Sequence, residues 1–143
     1  MEKYLGVKII NAEPMTKNDF YREKGQPCDS DNMHGYKVKY EDDYISWSPK
    51  KVFEEAYRRI DNLTFGLAIE ALKKGHKVAR KGWNGKGIFI ELQRPDTHSK
   101  MTHSYIFIDT TGLQTNNPDA PKDRVPWLAS QTDMLAEDWI IVE

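Results

Sequence analysis

The chain has 143 residues, with 21 basic and 22 acidic side chains, a formal net charge of -1 and a hydrophobic fraction of 38%. That length fits one domain, or one domain with a small appendage, and suffices to bury about two-thirds of the surface an unfolded chain exposes. The balanced charge argues against a nucleic-acid polymer or an anionic membrane as partner, since both call for a strong basic excess.

Residues 4–12 (YLGVKIINA) are β-rich and read as a first strand. Residues 13–32 are polar, carry Pro14, Gly25 and Pro27, and read as loop with a short helical turn near 16–21. Tyr36, Val38 and Tyr40 alternate with Lys37 and Lys39, the period-two pattern of a half-buried strand. Glu41-Asp42-Asp43 turns the chain, and residues 44–47 return as the second strand of a hairpin. Ser48-Pro49 then opens a helix: Ser48 caps it, and Pro49 takes the first helical position, where a missing N–H is no loss. Val52, Phe53, Ala56, Tyr57 and Ile60 form its apolar face, expected to pack on a core. Asp61-Asn62-Leu63 breaks the pattern. It marks an expected boundary between an N-terminal hairpin-plus-helix module, 1–61, and a second domain, 62–143.

Thr64 caps a second helix, with Phe65, Ile69 and Leu72 on one stripe and Gly75 at the C-terminal position that favours φ > 0. Residues 77–80 and 88–92 read as strands joined through RKGWNGKG, residues 80–87. Asn84-Gly85 is the strongest short hairpin signal available, because a type I′ turn needs φ > 0 at both central positions. Such a turn places Trp83 exposed at the tip and Arg80 just below it. Residues 101–109 form a further strand, Thr110-Thr111-Gly112 a turn, and 113–124 a loop with Pro118 and Pro121. Ser130 with Asp133 has the form of a capping box, Asp replacing the usual Glu, and predicts a short helix over 131–136. Residues 139–142 close the chain as a strand. The elements sum to an α+β fold, a small antiparallel sheet with a packed helix, preceded by the hairpin-plus-helix module.

Most catalytic signatures are missing. There is no HExxH, no CxxC, no clustered His/Cys set and no GxSxG, so neither a metal, a cofactor nor a nucleophile elbow is expected. Gly82, Gly85 and Gly87 fit neither GxxxxGK[ST] nor GxGxxG. The single cysteine, Cys28, cannot close an internal disulfide, which points to a reducing compartment. The opening MEKYLGVKII is too short and too charged for a signal peptide, and no run approaches the ~20 apolar residues of a membrane span. A cytoplasmic protein is expected. Asp133 and Asp138 flank the short helix and are the one candidate acid/base pair, although a helix cap and a strand-entry residue explain them more simply.

A binding site is better supported. The chain carries four Trp, seven Tyr and five Phe. Trp83 beside Arg80 offers an indole to stack on a base and a guanidinium to pair with a phosphate. Trp127 and Trp139 fall at other turns or strand ends, next to groups suited to a ribose or a base edge: Asn84, Ser130, Gln131, Thr132 and Asp133. Backbone N–H groups after Ser130 add an anion-binding element. This mixture suits a nucleotide-derived small molecule, and would serve a sugar almost equally well.

Thr64-Phe65-Gly66, then ALKKG at 71–75, VARKGWNGKG at 78–87 and WLASQTDMLAEDW at 127–139, resemble the Thoeris anti-defence 2-like family of small phage and prophage proteins. The likeness covers about residues 63–143. Glu13-Pro14-Met15-Thr16, Gly35-Tyr36 and Ser46-Trp47-Ser48-Pro49 resemble an N-terminal module of other small phage proteins, with no known activity. The resemblance implies a sponge and not an enzyme, active in the cytoplasm of an infected or prophage-carrying bacterium. Characterised relatives hold cyclic ADP-ribose-type signals unmodified, in particular the glycocyclic isomers made by bacterial Thoeris TIR proteins. Some also bind cyclic dinucleotides at a separate site. The family assembles as a homotetramer with pockets between subunits. On this basis Trp83 and Phe89 supply stacking, Arg80 pairs with the pyrophosphate, and Asn84, Gln131, Thr132 and Asp133 hold ribose hydroxyls or a base edge. The alternatives are a protein-interaction module, with Trp83 as interface anchor, and a nucleotide-processing enzyme using Asp133 or Asp138.

Overall fold

A computed structural model describes residues 1–143. The architecture is α+β, with four helices, a three-stranded sheet and a five-stranded sheet, and all strand pairing is antiparallel. The chain divides into two compact units, Met1–Arg58 and Arg59–Glu143.

The first unit orders its strands β1 (Asn11–Thr16), β2 (His34–Lys39) and β3 (Ile45–Pro49), with helices α1 (Lys17–Glu23) and α2 (Lys50–Ala56). The first strand lies later than residues 4–12. Apolar residues of that early run stay exposed, Tyr4 at 88% and Leu5 at 97%. The strand forms instead where β2 can pair with it, Ala12 opposite Val38 and Pro14 opposite Tyr36. Pro14 is tolerated because β1 is an edge strand. The expected helical turn near 16–21 is α1, capped by the Thr16 hydroxyl and closed at Gly25, whose φ is 66°. Ser48 does not cap α2; it remains in β3 opposite Tyr36, and Pro49 occupies the capping position without a side-chain bond. The helix stops at Ala56, so Ile60 is not on it, and no α2 residue is buried. An aromatic ladder and a hydrogen bond hold α2: Phe53 stacks on Tyr36 at 4.2 Å and on Tyr57 at 5.0 Å, and the Tyr36 hydroxyl donates to Glu54 at 2.9 Å.

The second unit contains α3 (Phe65–Lys73), β4 (Lys77–Arg80), β5 (Phe89–Gln93), β6 (Tyr105–Asp109), β7 (Arg124–Pro126), α4 (Gln131–Leu135) and β8 (Trp139–Val142). Its sheet runs β7-β6-β5-β4-β8. The Thr64 hydroxyl caps α3 by accepting from Leu67 N–H. At the other end Gly75 (φ 92°) and His76 donate back to the carbonyls of Leu72 and Ala71. That is the glycine-terminated stop the sequence predicts. Strand alternation sends Val78, Ile90, Trp139 and Ile141 toward α3, where Ala68, Ala71 and Leu72 complete the core. Strand β7 falls just where the predicted loop ends and was not expected.

Asn84-Gly85 does not form a tight turn. Neither residue has positive φ, β4 and β5 pair only at Val78 and Ile90, and an eight-residue loop, 81–88, joins them. The positive φ falls on Gly87 instead, at 81°. No helix is long and apolar enough to cross a membrane.

Candidate functional site

The loop 81–88, the end of β4 and the short helix α4 meet around one carboxylate. Asp133 sits in the first turn of α4, in the capping box with Ser130 that the sequence predicts. One of its oxygens accepts from Arg80 Nη1 at 2.9 Å and from Trp83 Nε1 at 3.2 Å. The other accepts from the Ser130 N–H at 3.0 Å and the Ser130 hydroxyl at 2.8 Å. Its backbone carbonyl takes the Trp139 indole N–H at 2.9 Å. Asp138 supplies a second hold: it accepts from Arg80 Nε at 2.9 Å and from the Gly82 N–H at 2.7 Å.

These bonds set the electrostatics. Burial pushes Asp133 upward, but the Ser130 N–H, the Arg80 guanidinium, the Ser130 hydroxyl and the Trp83 indole outweigh it and hold the carboxyl at about 2. Burial likewise raises Asp138, and Arg80 with the Gly82 N–H brings it below the usual carboxylate range. Arg80 is raised by Asp138 and Asp133 together. Asp133 and Asp138 are therefore carboxylates at neutral pH, committed to structure, and poor candidates for the acid/base pair. No group of His, Cys, Asp and Glu side chains is placed to hold a metal ion.

Around this lock the indoles of Trp83, Trp127 and Trp139 meet mutually edge to face, their ring centres 5.4 to 6.1 Å apart. Phe65 joins them at 5.4 Å from Trp139. Edge-to-face packing of this kind adds ~0.5–1.5 kcal/mol per pair beyond buried area. Trp139 is fully buried, whereas Trp83 and Trp127 are half-buried. Trp83 is thus no free-standing indole at a hairpin tip: its N–H is bonded and its ring packs against two others.

The site residues expected from the sequence separate into three groups. Arg80, Trp83, Trp127, Ser130 and Asp133 come together, with most of their polar atoms already in use. Asn84, Gln131 and Thr132 flank them and are exposed. Phe89 stands apart. It pairs with Asp109 on β6, and alternation puts it on the sheet face opposite Ile90, hence away from Arg80 and Trp83. There the Lys77 ammonium lies 4.8 Å from its ring centre. The capping box also uses the N–H groups of Ser130 and Asp133, so less of the α4 start is open to an anion than the sequence suggests. Two residues take a different part from the one the sequence suggests. Asp138, expected there only as an acid/base candidate or strand-entry residue, anchors Arg80 from 58 positions away. Trp139, expected beside the polar groups of the site, is fully buried at the centre of the tryptophan cluster.

The segments that converge here are the two motif blocks of the second unit, and both lie within the span that matches known proteins. The family model described as Thoeris anti-defense 2-like domain matches residues 63–142. The chain belongs to the Thoeris anti-defense 2-like family. A relative named Thoeris anti-defense 2, from Bacillus phage SP01, is 36% identical over 93 residues, covering 56% of this chain and 94% of its own length. The Thoeris anti-defense 2-like region therefore coincides with the second unit, and the first unit lies outside it.

Proposed function

We propose that this phage-type anti-defence protein binds and sequesters a cyclic ADP-ribose-type immune signal, in the first place glycocyclic ADP-ribose, without degrading it. The observation that carries this reading is the convergence of residues 78–87 and 127–139 on one rigid aromatic and charged surface. Trp83 and Trp127 offer ring surface for a base, and Asn84, Gln131 and Thr132 offer free polar groups for ribose hydroxyls or a base edge. Two of the three Arg80 nitrogens are committed to carboxylates; the second terminal nitrogen lies beside Gly82 and supplies a donor for a phosphate. Phe89, on the opposite sheet face, would contribute only from a second copy of the chain, which suits pockets formed between subunits of a homotetramer. A non-catalytic role is supported by the state of Asp133 and Asp138. A general acid or base works best with a pKa near the operating pH, and both are held far below it.

Calorimetric titration with glycocyclic ADP-ribose isomers, followed by denaturation and mass analysis of the ligand, tests the proposal. Tight binding with intact ligand is expected. Accumulating product would replace it with an enzyme, and heat only from cyclic dinucleotides would move the ligand class.

A second reading, a phage protein-interaction module, is favoured by Leu128 and Leu135. They flank the site and are 91% and 79% exposed. Co-purification of a host or phage protein, with no nucleotide bound, would decide for it.

A further inference from the structure

The loop that carries Trp83 and Asn84 is held at both ends. Its near half is fixed by Asp138, which receives the Gly82 N–H, and by Asp133, which receives the Trp83 indole. The Lys81 N–H adds a bond to the Asp138 carbonyl at 3.1 Å. Its far half rests on a different element, the turn at 110–114. Gln114 N–H donates to the Lys86 carbonyl at 2.9 Å, making an isolated antiparallel bridge. Gly87 faces the Gly112 carbonyl oxygen so closely that no side chain fits at position 87. A Cβ at Gly85 would stand 2.9 Å from Leu113 Cδ1.

The turn itself is closed by its own hydrogen bonds. Leu113 N–H closes it onto the Thr110 carbonyl at 3.0 Å. Asp109, almost fully buried, accepts from the Thr111 hydroxyl at 2.6 Å, the Thr111 N–H at 2.9 Å and Arg124 Nε at 2.8 Å. Thr110 and Asp123 then bond reciprocally, with the Asp123 N–H meeting the Thr110 hydroxyl at 2.8 Å and the Thr110 N–H meeting the Asp123 carbonyl at 2.9 Å.

We infer that the 110–114 turn is a positioning element for the ligand loop, with Gly112 as the residue that sets how closely that loop lies. A Cβ at Gly112 would stand 3.0 Å from the Gly87 carbonyl oxygen, so the loop backbone must give by a few tenths of an ångström. Gly112 has no positive φ, so alanine suits its own backbone and the strain passes to the loop. Neither Gly112 nor Leu113 belongs to the site that touches ligand; both act through residues 85–87 on Trp83 and Asn84. The consequence for affinity rests on the sequestration reading, and the consequence for the loop does not.

The test compares the full-length wild type with Gly112→Ala by amide NMR, thermal melting and titration with glycocyclic ADP-ribose isomers. The variant is expected to move the Trp83 indole N–H resonance and the amides of 82–87 while leaving those of α3 in place. It should weaken binding ~10-fold, the order expected when rigid groups are displaced by a fraction of an ångström. Leu113→Ala removes the contact at Gly85 without adding an atom, and gives the same readouts if the first variant fails to fold. Unmoved loop resonances overturn the inference whatever the ligand does. Moved resonances with undiminished affinity overturn the positioning role. A wild type that binds no isomer refutes the sequestration reading instead, and the resonances alone then decide whether the turn positions the loop.

Discussion

Replacing Asp133 by Asn keeps the size of the side chain and removes its charge, which isolates what the carboxylate does. In the wild type it accepts four hydrogen bonds, two on each oxygen. An amide has one oxygen to offer. If that oxygen faces Arg80 and Trp83, the amide N–H₂ points at the Ser130 N–H and the side-chain half of the capping box is lost, leaving the bond from the residue-133 N–H to the Ser130 hydroxyl. The reverse orientation sets the N–H₂ against the guanidinium and the Trp83 indole N–H. Either way two of the four bonds go and donor faces donor. Charge-assisted bonds of this kind contribute ~1.5–3 kcal/mol each and a helix cap ~1 kcal/mol, so the expected loss is ~3 kcal/mol. The same bonds can be read through linkage. A carboxyl moved from 3.8 to about 2 stabilises the fold by ~2 kcal/mol at neutral pH. Because the folded value is depressed, that stability is present above about pH 4 and is lost as pH falls through about 2. Thermal melting followed by tryptophan fluorescence should show the variant ~15 °C less stable at pH 7, at ~4–8 °C per kcal/mol for a unit of this size. The gap should narrow toward pH 2, where the wild-type carboxyl is itself about half protonated. A gap under ~2 °C at pH 7, or one of equal size at both pH values, would refute the reasoning that charge holds this site together.

The isolated segment 59–143 should fold alone and retain ligand affinity, because it is a compact unit that contains the whole family match at 63–142, and the phage SP01 relative is covered over 94% of its length by only 56% of this chain. Circular dichroism and calorimetry on that fragment check it, and an unfolded fragment would make the first unit a folding partner. Gly35→Ala should unfold the first unit, since a Cβ there would run into the Ser48 carbonyl and the Trp47 ring. Loss of ~2 kcal/mol or more is expected in urea titration, with the aromatic signals of the first unit melting first. Leu128→Glu combined with Leu135→Glu should lower the mass seen by light scattering if these exposed leucines join copies of the chain, with little change in the folding of the protomer.

Local chemistry was legible where one short stretch decides the outcome. Thr64 and Gly75 announced both ends of α3, and Ser130 with Asp133 announced α4, because capping is settled within a few residues. The Asn84-Gly85 turn failed for the complementary reason. Its geometry is set by groups distant in sequence: Asp138 and Asp133 draw the near half of the loop aside, and Gly112–Gln114 hold the far half. The early run at 4–12 misled because β propensity there has no partner strand to meet, while Asn11–Thr16 has β2. Site membership divided in the same way. The motif blocks singled out Arg80, Trp83, Trp127 and Asp133 as candidates, and these four meet in space. The blocks could not reveal that their polar atoms bond to one another, nor that Phe89 lies on the other side of the sheet, since both depend on register and long-range closure.

That mutual bonding has a consequence for how a phosphate-bearing ligand would be held. Arg80 is one cation against two carboxylates, so the cluster is net negative and does not attract a pyrophosphate over distance. What it offers is direction, one guanidinium nitrogen not bonded to a carboxylate, in a fixed place. Charge must come from elsewhere on the loop, and Lys81 and Lys86 are exposed there, with the Lys86 ammonium bonded to the Lys81 carbonyl at 3.0 Å. Two exposed lysines in water give a modest Coulombic term that salt screens within ~8 Å at physiological ionic strength. Most of the affinity must then come from ring stacking and from a loop that is already ordered. Fixing a residue's backbone costs ~1–2 kcal/mol, a cost this loop meets on folding and not on binding. Affinity for glycocyclic ADP-ribose should therefore fall less than ~10-fold between 50 and 500 mM salt, because the charges that reach the ligand are few. The double variant Lys81→Ala and Lys86→Ala should remove most of that dependence while leaving binding measurable by calorimetry. A steep salt dependence that survives the double variant would mean that Arg80 leaves its aspartates to meet the ligand, and the lock would then be a switch.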